Sequence, residues 1–288
     1  MKNILFENKQ KIILYFFKIL RFIIIFGLIF IILLPFLEIF ITSIKSPSDL
    51  SDPTIYWIPQ NPTFKNIIFT YRQLTAHNAF YNSLMISFLT AIIQVIITAK
   101  AGYSFAKLKF KGNNIIFLLI MLTIFIPIDS LNTSRLLFFT FHPLFGIKII
   151  GSRYSIYIMT FLGMGYRSPI FIYIFRQYFR SISNDILEQA QIDGANNFKV
   201  FYKIMLPNAR GAILTTGILT FVWTYNDYYF PSLFNFSNSN IYLLSTRLAG
   251  GRYRNPSVSA LMMIIPLLII YMFINKYLLD SIQKTAIC

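Results

Sequence analysis

Trp223, Tyr225, Asn226 and Asp227 crowd into five residues of the stretch WTYNDYYFPSL, inside an otherwise apolar run. A carboxylate and an amide hydrogen-bond to hydroxyl groups, and aromatic rings lie against apolar faces; together they supply the chemistry that grips a sugar. Glu38, Gln94, Arg167 and Asn275 are the other conspicuous polar groups in or beside apolar runs. An ionised group at the middle of a bilayer costs roughly 2.5–3.5 kcal/mol unless it faces water or a partner, so each needs a physical reason. Glu38 and Asn275 lie near the ends of their runs, where an interfacial position suffices. Gln94 reads as a hydrogen bond between helices. Arg167 is flanked by Gly163, Gly165, Ser168 and Pro169, which predicts a broken helix and a paired charge, Asp227 being one possible partner and a substrate another. No catalytic constellation accompanies these groups. The two histidines, His77 and His142, stand in no motif, and the single cysteine, Cys288, excludes an internal disulfide or a Cys-based metal site.

A second polar stretch has a different character. Residues 188–207 read EQAQIDGANNFKVFYKIMLP. Asp185 and Glu188 are spaced as a capping box, predicting a short helix from about 186 to 193. Asp193-Gly194 is a turn signal, because glycine takes positive φ without strain. Asn196 or Asn197 can cap a second helix whose Phe198, Phe201, Ile204 and Met205 share one face, with Pro207 ending it. Ala190, Gly194 and Ala195 are small and allow close approach to another surface. An ordered helix–turn–helix of this kind suits docking into a groove, with an amphipathic hairpin lying on lipid as the alternative.

The elements that carry these stretches are apolar helices. The chain has 288 residues, 56% of them hydrophobic and only 12% charged, about half the charged share of a soluble domain. Runs near or above roughly 18 apolar residues recur, the length a helix needs to cross a bilayer. The fold class is therefore all-α, a polytopic membrane protein with about six spans, near 22–43, 82–106, 115–128, 154–176, 211–233 and 257–279. The basic start before residue 22 resembles a signal peptide, but the apolar run is too long and lacks a small-residue cleavage site, so it reads as an uncleaved anchor. Lys and Arg are more numerous on the side holding the termini, which predicts a cytoplasmic N-terminus and C-terminus. The chain then divides into a cytoplasmic segment 1–21, a first span 22–43, an external loop 44–81, a core 82–279 with the polar loop at about 185–207, and a cytoplasmic tail 280–288. The formal charge of +16 belongs to loops beside spans; no soluble basic domain exists to hold a nucleic acid.

Residues 188–207 resemble the EAA loop of the membrane subunits of binding-protein-dependent ABC importers. The pattern maps onto Glu188-Gln189-Ala190, Asp193-Gly194-Ala195 and Leu206-Pro207, with Gln189 in place of the usual middle alanine. GYSFAKLKFKG at 102–112, FRQYFRSIS at 175–183 and WTYNDYYFPSL at 223–233 are similar to further segments of the six-span maltose-type permeases of the carbohydrate class. The resemblance implies a plasma (inner) membrane permease whose polar loop is a coupling helix seated in a separate ATPase. It implies as partners two ATPase subunits that hold ATP and Mg, a second homologous permease, an extracellular solute-binding protein, membrane lipid and a carbohydrate or glycerol-phosphate-like substrate. It implies no cofactor on this chain and no catalysis by it. The chain has no G-x-x-x-x-G-K-[ST] phosphate loop. Because the family carries the Trp-Asn-Asp motif across many substrates, Trp223, Tyr225, Asn226 and Asp227 are expected to serve the pathway or its gating. The alternative class is an ion-driven secondary transporter, which tends to show repeated halves; no convincing repeat is visible here.

Overall fold

The computed structural model describes residues 2–73, 76–141, 150–234, 243–246 and 255–286; His142 and Cys288 lie outside them. No strand occurs among the described residues. The helices are α1 (Lys2–Ile44), α2 (Pro47–Ser51), α3 (Lys65–Gln73), α4 (Ala76–Lys107), α5 (Asn113–Leu122), α6 (Ile128–Phe141), α7 (Tyr154–Phe161), α8 (Ser168–Ser181), α9 (Asn184–Ile192), α10 (Asn197–Val200), α11 (Leu206–Asn208), α12 (Arg210–Asn226), α13 (Tyr229–Leu233) and α14 (Pro256–Ala286). A 3₁₀ turn, Thr123–Phe125, succeeds α5, and a π-helical turn, Phe201–Met205, joins α10 to α11.

Three helical stretches are long and apolar enough to cross a bilayer: Ile13–Ile44, His77–Lys107 and Pro256–Phe273. The chain is thus a multi-pass membrane protein. A fourth apolar stretch is broken, with Asn113–Phe125 and Ser130–Thr140 bent by 106°. The break has a local cause. Ile126 is extended (φ −81°, ψ 124°), as the residue before Pro127 must tend to be, because the proline ring crowds the helical conformation there. The expected continuous run 115–128 stops at Phe125, three residues short, for this reason. The expected run 154–176 is likewise split, as its glycines predict: Gly163 takes φ +78° and receives the end of α7. The N–H of Gly163 donates to Thr160 O and that of Met164 to Met159 O, the paired bonds of a Schellman stop.

Contacts divide the chain into two units, Met1–Arg72 with Tyr253–Met262 and Gln73–Arg252 with Met263–Cys288. In the first, α1 has exposed apolar side chains from Ile13 to Phe40. The connection after it is ordered by polar bonds. Ser46 caps α2 by accepting from Asp49 N–H, buried Asp49 accepts from Asn61 N–H at 2.9 Å, and Asn66 donates to Lys45 O at 2.7 Å. The Asn61 N–H is the main cause that holds the Asp49 carboxyl below its ordinary range, against the opposing effect of burial.

In the second unit, α4 packs chiefly against α8 and α12. Gly102 permits the first contact: a Cβ there would stand 2.5 Å from Phe175 Cβ and 2.9 Å from Arg176 N. Around this approach Tyr103, Phe175, Phe179, Val200, Phe201 and Met205 form a buried cluster that extends under α9 through Leu187 and Ala190. The polar loop is thereby anchored to the helical core by its own apolar side chains.

Candidate functional site

The polar loop is a pair of helices with its stop and start signals in place. Ser183 caps α9, its hydroxyl accepting from Asp185 N–H at 3.2 Å and donating to the Asp185 carboxylate at 2.9 Å. The cap therefore sits two residues before the Asp185–Glu188 box anticipated from spacing, because Ser183 holds the extended conformation (φ −57°, ψ 144°) that presents its oxygen to the helix. At the other end Asp193 is the last residue of the turn and Gly194 takes φ +79°. Ala195 N–H donates to Ala190 O at 2.9 Å and Gly194 N–H to Gln191 O at 3.0 Å, again the Schellman pair. A Cβ on Gly194 would meet nothing within 4 Å, so the demand for glycine there is conformational rather than steric. Asn196 caps α10 by accepting from Lys199 N–H at 2.8 Å.

The face beyond that cap differs from simple helical spacing. Val200, Phe201 and Met205 are buried and Ile204 is half-buried, whereas Phe198 is 66% exposed. The π turn at Phe201–Met205 adds a residue to the ladder and rotates the residues after it. Pro207, lacking an N–H, cannot donate to Lys203 O and so favours that shift. Nor does Pro207 end the helix: it lies in α11, which continues directly from the π turn, and the break comes at Ala209 (φ −84°, ψ 27°). Leu206 is half-buried and Pro207 exposed. Leu187 and Ala190 point to the core. Glu188, Gln189, Asp193 and Gly194 are exposed and Ala195 is half-buried. Ile186 and the 85% exposed Ile192 add apolar surface to that of Phe198 on the same loop.

The four polar and aromatic residues of the fifth run are not gathered into one cleft. Trp223 is half-buried, tilted against Phe171 at 5.6 Å, with the Arg167 guanidinium 4.8 Å from its ring. Arg167 thus makes a cation–π contact. It is also the one non-glycine residue with positive φ (+46°) among the described residues, a left-handed conformation that side chains disfavour. Tyr225 faces elsewhere, 1% exposed, in a cluster with Ala79 and Leu244. Asn226 is exposed and donates to Val222 O at 3.0 Å. Asp227 ends α12: its carboxylate accepts from Tyr229 N–H at 3.0 Å and from the Tyr166 hydroxyl, and its carbonyl accepts from Ser245. Asp227 therefore caps α13 and ties it to the α7–α8 break through Tyr166.

Gln94 makes the interhelical bond its position suggests, donating to Ser168 Oγ at 2.9 Å at the head of α8. Glu38 accepts from the Tyr56 hydroxyl at 2.6 Å, and Asn275 lies half-buried on α14. Sequence reasoning overlooked a polar seam. Ser83, Ser87, Thr90, Gln94 and Thr98 on α4 are at most 1% exposed, and Thr216, Thr220 and Thr224 on α12 at most 2%. The three-and-four spacing of these small hydroxyl residues was the available signal, hidden because each residue is unremarkable singly. The hydroxyls of Thr90, Thr216, Thr220, Thr224 and Tyr225 have no hydrogen-bond partner among the described residues.

The family described as "Binding-protein-dependent transport system inner membrane component" matches residues 9–284. Among the relatives, the arabinooligosaccharides transport system permease protein AraQ of Halalkalibacterium halodurans is 26% identical, over 88% of this chain and 90% of its own length. The melibiose/raffinose/stachyose import permease protein MelC of Bacillus subtilis is 25% identical over 88% and 91%. The trehalose transport system permease protein SugB of Mycobacterium tuberculosis is 31% identical over 68% of each. The fold is similar to a chain in the crystal structure of a bacterial ABC transporter involved in the import of the acidic polysaccharide alginate, with a TM-score of 0.70, 21% identity, and coverage of 91% of this chain and 96% of that one. A multi-pass, all-helical chain matched along nearly its whole length belongs to the binding-protein-dependent transport system inner membrane components, and is a permease rather than an enzyme.

Proposed function

We propose that this chain is the permease subunit of an ATP-driven importer for a carbohydrate, a sugar or oligosaccharide delivered by an extracellular solute-binding protein. It works with a second homologous permease and two ATPase subunits, which hold ATP and Mg. The observation that carries the reading is the family match over residues 9–284, joined to relatives whose names specify arabinooligosaccharide, melibiose-type and trehalose transport. The chain crosses the membrane six times, with residues 1–21 and the tail 280–288 in the cytoplasm, 22–43 as the first span, 44–81 outside and 82–279 as the core.

The Ser183–Asn208 loop is the point of coupling. Glu188, Gln189, Ala190, Asp193, Gly194, Ala195, Leu206 and Pro207 form or brace the element that docks into the ATPase. Its support is physical: α9 is capped, stopped at Gly194 and bolted to the core by Leu187 and Ala190, so a push on its exposed face is passed to α4 and α8. Trp223, Tyr225, Asn226 and Asp227 serve the pathway as gating residues rather than one sugar cleft. Their separate partners support that division, Asp227 linking α13 to the α7–α8 break and Trp223 carrying Arg167.

The test is purification of the tagged chain from its native membrane in mild detergent, and then uptake of labelled oligosaccharides into vesicles holding the recovered complex. Recovery of an ATPase, a second permease and a binding protein, with ATP-dependent uptake, is the expected result. Recovery of the chain alone, with uptake driven by an ion gradient, overturns the reading.

A further inference from the structure

At one end of α4, a cavity of about 610 Å³ opens between the α4–α5 connection, α8 and the start of α9. Five cations line it: Lys107, Lys109, Lys111, Arg176 and Arg180, with no carboxylate among the lining residues. Such a gathering of one sign is unfavourable by itself and builds a strong positive potential in a concave space.

The structure holds two of these cations firmly. Lys107 Nζ donates to Ile182 O at 2.6 Å and to Asn184 Oδ1 at 2.7 Å. Arg176 Nε donates to Phe105 O at 3.3 Å, and its guanidinium lies 4.0 Å from the centre of the Phe117 ring. Those partners are neutral, so they position the charge without cancelling it. Lys109, Lys111 and Arg180 are exposed.

The position matters as much as the charge. Lys107 ends the apolar stretch His77–Lys107, and Asn113 begins the next apolar helix. The cavity therefore sits at the depth where a bilayer carries its phosphates, on whichever face of the membrane this end lies. Phe105, Leu108 and Phe110 give it an apolar wall beside the cations, which suits a molecule with a charged head and an acyl chain. Basic pockets between helices at this depth bind anionic headgroups, and a cation near an anionic membrane surface contributes about a fivefold gain in binding.

We propose that this cavity is a phosphate-binding site, filled by the headgroup of an anionic phospholipid or by a free phosphate anion. The inference needs only that the chain sits in a bilayer and is independent of which solute it carries.

The test compares the full chain with its Lys109→Gln/Lys111→Gln/Arg180→Gln variant in nanodiscs. Native mass spectrometry reads retained phosphatidylglycerol against phosphatidylcholine, with and without millimolar inorganic phosphate. Retention of phosphatidylglycerol that falls on the order of 100-fold in the variant, and that phosphate does not displace, assigns the site to lipid. Displacement by inorganic phosphate, or phosphate binding in phosphatidylcholine alone, assigns it to the soluble anion. Equal retention by both proteins, or an equal loss in an Arg210→Gln control, a cation of the same unit that does not line the cavity, overturns the proposal. The native-like mass and circular dichroism of each variant in the same nanodiscs separate loss of the site from loss of the fold.

Discussion

Between Ser183 and Asn208, the polar side chains that shape the backbone act on close neighbours. Ser183 reaches Asp185, Asn196 reaches Lys199, and Gly194 turns the chain by its own conformation. Between Trp223 and Phe230, the important partners lie far along the chain. The Asp227 carboxylate meets Tyr166, 61 residues away, while Trp223 packs with Phe171 and Arg167. The first region takes its caps and its turn from local bonds, is fastened to the core by Leu187, Ala190 and the bond from Lys107 to Asn184, and presents an exposed face. The second is a junction, where consecutive residues belong to different neighbourhoods. A coupling element has to be rigid in itself; a gate has to join parts that move.

The contrast can be broken from its foundation upward. Gly102→Ala carries the largest effect, because the added methyl would overlap Phe175 and the α8 backbone and force α4 away from the cluster beneath the loop. A loss of about 1–3 kcal/mol is expected, read as a lower unfolding temperature of the purified permease; an unchanged temperature would show that α4 and α8 do not need the close approach. Gly194→Val comes next. It meets no neighbour, so the fold should survive, yet a left-handed β-branched residue is strained by roughly 1–2 kcal/mol and the Schellman stop should be lost. Transport should fall by tenfold or more while the chain remains in the membrane.

Asp227→Asn probes the junction. The amide keeps an acceptor for the α13 cap but changes the bond from Tyr166. Assembly should be retained and uptake altered, and Tyr166→Phe should give the same phenotype if the link is what matters. A complex that no longer assembles would mark Asp227 as a strut of the bundle instead. Asn196→Ala should cost about 1 kcal/mol, seen as faster hydrogen exchange confined to the amides after residue 196; a change spread across the core would contradict the local character of the loop.

The smallest effect belongs to the connection after α1. The Asp49 carboxyl titrates below its ordinary value, chiefly through Asn61 N–H. The folded state therefore binds that proton less readily than the unfolded chain. Its stabilising contribution is present above the unfolded value near 4 and is lost as pH falls through the lower, folded one. Limited proteolysis of residues 45–64 should quicken only in that acid range, and Asp49→Asn should weaken the dependence, leaving the part that belongs to Asp52, whose carboxyl Thr54 holds below its ordinary range.

The same division governs how much of the molecule is legible in its sequence. The turn at Gly194, the cap at Asn196 and the break after Gly163 are legible, because glycine and short polar side chains act within a few residues. The Gln94 bond is legible in kind, a buried amide in an apolar helix needing a partner, but not in its partner Ser168. The inward face after Phe198 departs from expectation because a π turn shifts the period at Phe201–Met205, which ordinary helical spacing does not anticipate. The Trp223–Asp227 cluster resembles one site because its members adjoin in sequence; on a helix, neighbours 100° apart face different surroundings. The Thr216–Thr220–Thr224 seam is marked in the sequence by its four-residue spacing alone, and its burial comes from the helix packed against it.

In the proposed function, the Ser183–Asn208 loop converts ATP hydrolysis elsewhere into movement of this chain. The direct measurement is ATP hydrolysis and solute uptake, side by side, in proteoliposomes holding the complex with either wild-type chain or Gly194→Val. The variant is expected to assemble but to lose uptake, with hydrolysis no longer responding to the loaded binding protein. Uptake at the wild-type rate with hydrolysis still responsive would contradict it.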